Sequence, residues 1–88
     1  MNEYMVGKRY QENILPDKTF KDLNEALLYC IHYDSLCQGD DTSATVVTNI
    51  CGEIVFEINH RGFYRVNKCS TPDEFGIIVN FIKTIGGN

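Results

Sequence analysis

The chain predicts an α+β domain of order β-α-β-β-β-α: a three-stranded antiparallel meander, an additional N-terminal strand, and two helices packed on one sheet face. Three observations carry this. The first is a pair of turns ten residues apart, Asn49-Ile50-Cys51-Gly52 and Asn59-His60-Arg61-Gly62, each with Asn first and Gly last. Asn in the first position accepts a local hydrogen bond, and Gly in the fourth takes the left-handed conformation that closes a type I turn with a G1 bulge. The second is agreement between the registers those turns impose. One sets Asn49 opposite Glu53, Thr48 opposite Ile54, Val46 opposite Phe56 and Ala44 opposite Ile58. The other sets Asn59 opposite Phe63, Ile58 opposite Tyr64, Phe56 opposite Val66 and Glu57 opposite Arg65. Both select one apolar face, Ala44, Val46, Ile54, Phe56, Ile58, Tyr64 and Val66, and leave Glu57 paired with Arg65 on the other. The third is helical periodicity on either side of the meander.

Taken in order, residues 3–11 alternate, with Tyr4, Val6 and Tyr10 on one side and Met5, Gly7 and Arg9 on the other, which reads as the N-terminal strand. Pro16-Asp17 then breaks the chain, and Thr19 with Asp22 three residues on resembles a capping box. The stripe Phe20, Leu23, Ala26, Leu27, Cys30 and Ile31 follows at helical spacing, with Gly39 as a stop. Asp34 falls inside that stripe. Either the helix ends near Tyr33 and Asp34 caps another turn, or its carboxylate has a partner; capping is the expectation, because burying an unpaired carboxylate is costly. A polar loop, Gln38-Gly39-Asp40-Asp41-Thr42-Ser43, leads into the meander.

Thr71-Pro72-Asp73-Glu74 starts the second helix, with Thr as cap, Pro in the first position and Glu returning to the cap. Its stripe is Phe75, Ile78, Val79, Ile82 and Ile85, and Gly86-Gly87 ends it. Ile77 and Phe81 widen the apolar arc to roughly 200°, more than one sheet face covers. The first helix lying alongside is the expected neighbour for them; a partner or dimer contact is the alternative.

Residues 1–88 make one small domain with ten aromatics spread along it, enough for a modest core. The opening Met1-Asn2-Glu3-Tyr4 lacks a signal-peptide pattern and no apolar run reaches membrane-spanning length, so a cytoplasmic protein away from membranes is expected. Cys30, Cys37, Cys51 and Cys69 contain no C-x-x-C pair, and reduced thiols follow. Zinc on Cys30, His32, Cys37 and Cys69 would need an atypical spacing, so no cofactor or metal is expected. Of the net charge of −4, residues 12–57 hold nine acids against Lys18 and Lys21. Such a field repels nucleic acid and attracts basic surfaces, including the nucleic-acid channels of other proteins.

Chemistry-bearing motifs are missing from the sequence. Cys30 and His32 are two apart on a helix and point to different sides, no G-x-S-x-G, H-E-x-x-H or phosphate-binding Gly loop occurs, and Asp40-Asp41 lacks further oxygen ligands. No catalytic residue is expected. The order helix, three strands, helix over residues 19–85 resembles the double-stranded RNA-binding domain. Asp73 and Glu74 stand where that family carries lysines, and Ile50-Cys51 where it has a Pro-His element, which speaks against RNA binding. A strand, a helix beginning at Thr19 and a meander containing Thr45-Val46-Val47 and Gly52-Glu53-Ile54-Val55-Phe56 resemble small phage-encoded anti-CRISPR inhibitors over residues 3–69. That resemblance implies a protein that blocks a nucleic-acid-handling machine without catalysis.

The expected function is therefore a non-catalytic protein-interaction module. Its candidate surfaces are the outer sheet face, with Val47, Val55, Glu57, Phe63 and Arg65, and the helix edge at Ile77 and Phe81. A nucleic-acid-binding domain using a basic patch of Lys8, Arg9, His60, Arg61, Arg65 and Lys68 is the alternative, with a zinc-stabilised domain third. A homodimer is compatible with each.

Overall fold

The computed structural model describes residues 3–36, 43–59, 64–66 and 71–85. The second turn's tip, the loop through Asp40-Asp41, Cys37, Cys69, Phe63, Lys68 and Gly86-Gly87 lie outside these. The chain runs β1 (Tyr4–Tyr10), β2 (Asn13–Phe20), α1 (Leu23–Leu36), β3 (Ser43–Thr48), β4 (Ile54–Asn59), β5 (Tyr64–Val66) and α2 (Pro72–Ile85). Its strands form one sheet in the order β2-β1-β3-β4-β5, antiparallel throughout. The α+β class, the N-terminal strand, the meander and both helices stand as expected. β2 is additional.

The Pro16-Asp17 break expected from sequence lies inside β2. This strand is at the sheet edge, where a residue without an N–H to donate is tolerated. It returns from β1 through Gln11 and Glu12, and Gln11 takes the left-handed φ of 58° that a two-residue hairpin requires. Val6 pairs with Lys18 and Gly7 with Pro16, so Asp17 is the extra residue of a bulge. Gly7 permits that close crossing: a Cβ there would stand 2.4 Å from the Leu15 carbonyl oxygen.

With Thr19 and Phe20 in β2, α1 begins later than expected and Asp22 is its cap. The Asp22 carboxylate accepts the Glu25 N–H at 3.1 Å. Phe20 still packs on α1, its ring 5.2 Å from that of Tyr29. α1 continues through Asp34 to Leu36, which overturns the capping expectation for Asp34. The carboxylate has partners instead: it accepts the Thr45 hydroxyl at 2.9 Å and lies 3.5 Å from the Lys8 ammonium.

In the turn after β3, Asn49 behaves as expected: its side-chain oxygen accepts the N–H groups of Cys51 and Glu53 at 3.0 Å each. Gly52 closes the turn at φ 81°. The pairings of Thr48 with Ile54, Phe56 with Val66, Glu57 with Arg65 and Ile58 with Tyr64 are also as expected, while that of Asn59 with Phe63 lies outside the described residues. Beyond Thr48 the β3–β4 register slips by one, because Val47 pairs with Phe56 and leaves Val55 as a bulge. A one-residue slip reverses the faces of β3. Ala44 and Val46 therefore lie on the outer face, Val46 opposite Glu57, while Val47 turns toward the helices.

One core lies between sheet and helices. Tyr4, Val6, Val47, Val55, Phe56 and Ile58 meet Leu23, Ala26, Leu27 and Cys30 of α1 and Ile78 and Phe81 of α2. Thr71 caps α2 as expected, its hydroxyl accepting the Glu74 N–H at 3.2 Å. The helix is rotated relative to its expected stripe. Glu74, Ile78 and Phe81 are buried, and Phe75 is exposed. The Glu74 carboxylate accepts the Tyr4 hydroxyl at 2.7 Å, a buried bond made in that orientation.

Candidate interaction surface

The expected interface residues separate. Val47 and Val55 are fully buried core residues rather than outer-face ones, because the Val55 bulge turns both inward. Phe81 is likewise core, its ring edge-on to Phe56 at 6.3 Å, and Ile77 is half-buried against the same cluster. This agrees with the neighbouring first helix expected for them, and it removes Phe81 from the candidate partner-binding edge. Glu57 and Arg65 do share the outer face, and Phe63 lies outside the described residues. Glu57 is engaged twice: its Oε2 accepts Arg9 at 2.7 Å and its Oε1 lies 3.9 Å from Arg65. Arg9 reaches Glu57 across β3, where its own cross-strand neighbour is the small Ala44.

That arrangement separates the described members of the expected basic patch. Lys8 and Arg9 are consecutive in a strand and point to opposite faces, each toward a carboxylate. Arg65 shares Glu57 with Arg9, and His60, Arg61 and Lys68 lie outside the described residues.

A different surface emerges where β2 runs beside α1. Cross-strand pairing places Leu15 beside Lys8, Lys18 beside Val6 and Phe20 beside Tyr4, all on the helix side of the sheet. Against this row α1 presents Tyr29 and Tyr33, one turn apart and off the core stripe. Their rings are nearly parallel, 13° between planes at 5.8 Å. Lys18 Nζ stands 5.4 Å from the ring centres of both Phe20 and Tyr29, and Lys8 Nζ stands 5.8 Å from that of Tyr33. The Asp17 bulge brings its carboxylate to the Tyr29 hydroxyl, which donates to it. The result is a continuous strip from the exposed Asp17-Lys18 corner, through three half-buried rings, to the sealed Lys8–Asp34 pair. Leu15, 59% exposed, and Tyr10 extend it toward the hairpin turn.

The sequence reading missed this strip because it missed β2. One signal was present: Tyr29 and Tyr33 are spaced i, i+4 and lie outside the stripe that explains the rest of α1.

Burial pushes the Cys30 thiol far above its ordinary range, with Asp34 adding to the shift and Lys8 opposing it, so no thiolate nucleophile forms there. No group of three or more His, Cys, Asp or Glu side chains among the described residues is placed to hold a metal ion. A cleft of about 80 Å³ opens where the Asn49–Cys51 turn meets Tyr4, Thr71 and Glu74. Pockets for organic ligands run to roughly 300–1,000 Å³. No helix among the described residues is long and apolar enough to cross a membrane. Compared with known protein families, curated proteins and solved structures, the chain matches none.

Proposed function

We propose that this protein is a non-catalytic interaction module of the cytoplasm that docks on another protein through the β2–α1 strip. The carrying observation is the strip's composition: half-buried Phe20, Tyr29 and Tyr33 flanked by exposed Leu15 and Tyr10. Aromatic side chains held in place by their neighbours are the usual anchors of protein interfaces, since they contribute large contact area and lose little freedom on binding. The acidic bias of the chain directs such a module toward basic partners, and its resemblance to small phage-encoded anti-CRISPR inhibitors points to a nucleic-acid-handling complex as the target. Direct nucleic-acid binding is disfavoured by the engagement of Lys8, Arg9 and Arg65 with carboxylates.

Affinity capture from a bacterial lysate tests this, using the intact protein, a Leu15→Asp, Tyr10→Ser variant and an Arg65→Ala variant, each confirmed folded by circular dichroism. A specific protein retained by the intact chain and by Arg65→Ala, but lost with the strip variant, is expected. Retention by the strip variant, or loss with Arg65→Ala, overturns the assignment of the strip.

A further inference from the structure

We infer that the Phe20–Tyr29 ring pair, with Asp17 at its rim, is a receptor for an arginine side chain of the protein partner, and that the chain's own Lys18 is its placeholder. The inference rests on the β2–α1 strip being the interface. The two ring centres are 5.2 Å apart with planes inclined at 48°, so the rings meet as a tilted wedge rather than a parallel stack. Lys18 Nζ lies equally far from both centres, at 5.4 Å, so a cation already occupies the space that the two electron-rich faces share. Tyr33 backs Tyr29 at 5.8 Å, and the Tyr29 hydroxyl is fixed by Asp17; the wedge exists before a partner arrives. The bulge gives Asp17 its place: without the extra residue it would alternate to the outer face.

Lys18 and Asp17 are both exposed, so the resident ammonium leaves the wedge without uncovering a buried group. An ammonium is strongly hydrated and holds the rings as a point charge. A guanidinium is flat and more weakly hydrated, stacks on an aromatic face and donates in a fork to a carboxylate. Two ring faces and a rim carboxylate therefore favour arginine over the lysine that stands there. Approach is favoured as well. Glu12, Asp17, Asp22 and Glu25 outnumber Lys18 and Lys21 along this stretch, an excess that draws in a basic segment.

The test titrates the full chain with the blocked peptide Gly-Arg-Gly-Arg-Gly and its lysine and citrulline counterparts, reading NMR shifts of the Phe20 and Tyr29 rings. The arginine peptide should shift both rings saturably, the lysine peptide should bind more weakly, and the uncharged citrulline peptide should not bind. Lys18→Ala should tighten arginine binding about threefold, the size of one exposed cation–π contact. Asp17→Asn and Tyr29→Leu should each weaken it by on the order of fivefold. Lys18→Ala is a surface change that leaves the core intact, so it decides the matter even where Tyr29→Leu unfolds the chain. Unchanged affinity in Lys18→Ala, equal binding of the citrulline peptide, or the same ring shifts from a thymidine octamer overturns the receptor. Absence of ring shifts while Leu15→Asp, Tyr10→Ser still abolishes capture overturns the receptor alone; capture indifferent to that variant overturns the strip.

Discussion

Lys8 and Arg9 are neighbours on β1, point to opposite faces of the sheet, and each meets a carboxylate from another element. Lys8 and Asp34 lie on the helix side, with side chains 6% and 10% exposed, under Tyr33 and beside Thr45. Arg9 and Glu57 lie on the outer face, and the Arg9 side chain is 28% exposed. The outer pair is the shorter, 2.7 Å against 3.5 Å. Distance nevertheless misleads as a guide to consequence. What decides the cost of breaking a pair is where the abandoned charge can go. Lys8 would remain in a low-dielectric site beneath α1, whereas Arg9 can turn outward into water.

Asp34→Ala therefore carries the largest expected effect. Leaving Lys8 buried without its carboxylate, and Thr45 without its acceptor, should lower unfolding free energy by about 3–5 kcal/mol. Urea denaturation measures this. Replacing the whole group by apolar residues, Lys8→Met with Asp34→Leu and Thr45→Val, should recover most of the loss, because no charge or hydroxyl is then stranded. A triple variant as unstable as Asp34→Ala would show that the contacts themselves, rather than the stranded charge, hold α1 to the sheet.

Glu57→Ala breaks the other side of the comparison and should cost less, about 1–2 kcal/mol, since both arginines can rehydrate. The two effects should also part with salt. Between about 0.05 and 1 M sodium chloride the Glu57 penalty should shrink and the Asp34 penalty should persist, because ions screen the half-open pair and do not enter the sealed one. Equal salt sensitivity in the two denaturation series would contradict the assignment of sealed and open sides.

Cys30 reports on the sealed side through pH. The unfolded thiol ionises near its ordinary value of 9.0, while burial keeps the folded thiol protonated well beyond it. Above that point the unfolded chain binds fewer protons than the folded one, so stability is fully present below pH 9 and falls as pH rises. The slope should approach about 1.4 kcal/mol per pH unit for this group. Comparing thermal or urea unfolding of the intact chain with Cys30→Val isolates the contribution of this thiol; parallel alkaline limbs would refute it.

What could be read in the sequence depended on how local the cause was. The Asn49–Gly52 turn and the pairing of Glu57 with Arg65 follow from residues close together in the chain, and both are present. The Val55 bulge depends on which of several alternating apolar residues goes unpaired, and a run such as Ile54-Val55-Phe56 does not mark that position. Its one-residue slip moved Val47 and Val55 from the expected interface into the core. β2 was hidden because Gln11-Glu12 lacks the Gly or Asn of a hairpin turn and Pro16 reads as a break. The aromatic strip fell with it, and the Asp34 partners, Lys8 and Thr45, come from β1 and β3, whose pairing beneath α1 no local pattern marks.

The smallest expected effect sharpens the outer half of the comparison. Arg65 lies 3.9 Å from the Glu57 oxygen that Arg9 does not use, and its side chain is 76% exposed. Solvent screening and the entropy of holding a long exposed side chain leave such a pair with little net value, so Arg65→Ala should change stability by less than about 0.5 kcal/mol. Arg9→Ala, removing the shorter and less exposed contact, should change it more. A reversal of that order in paired urea titrations would mean that Glu57 is held from β5 rather than from β1. The bridge over β3 would then not be what ties the sheet's outer face together.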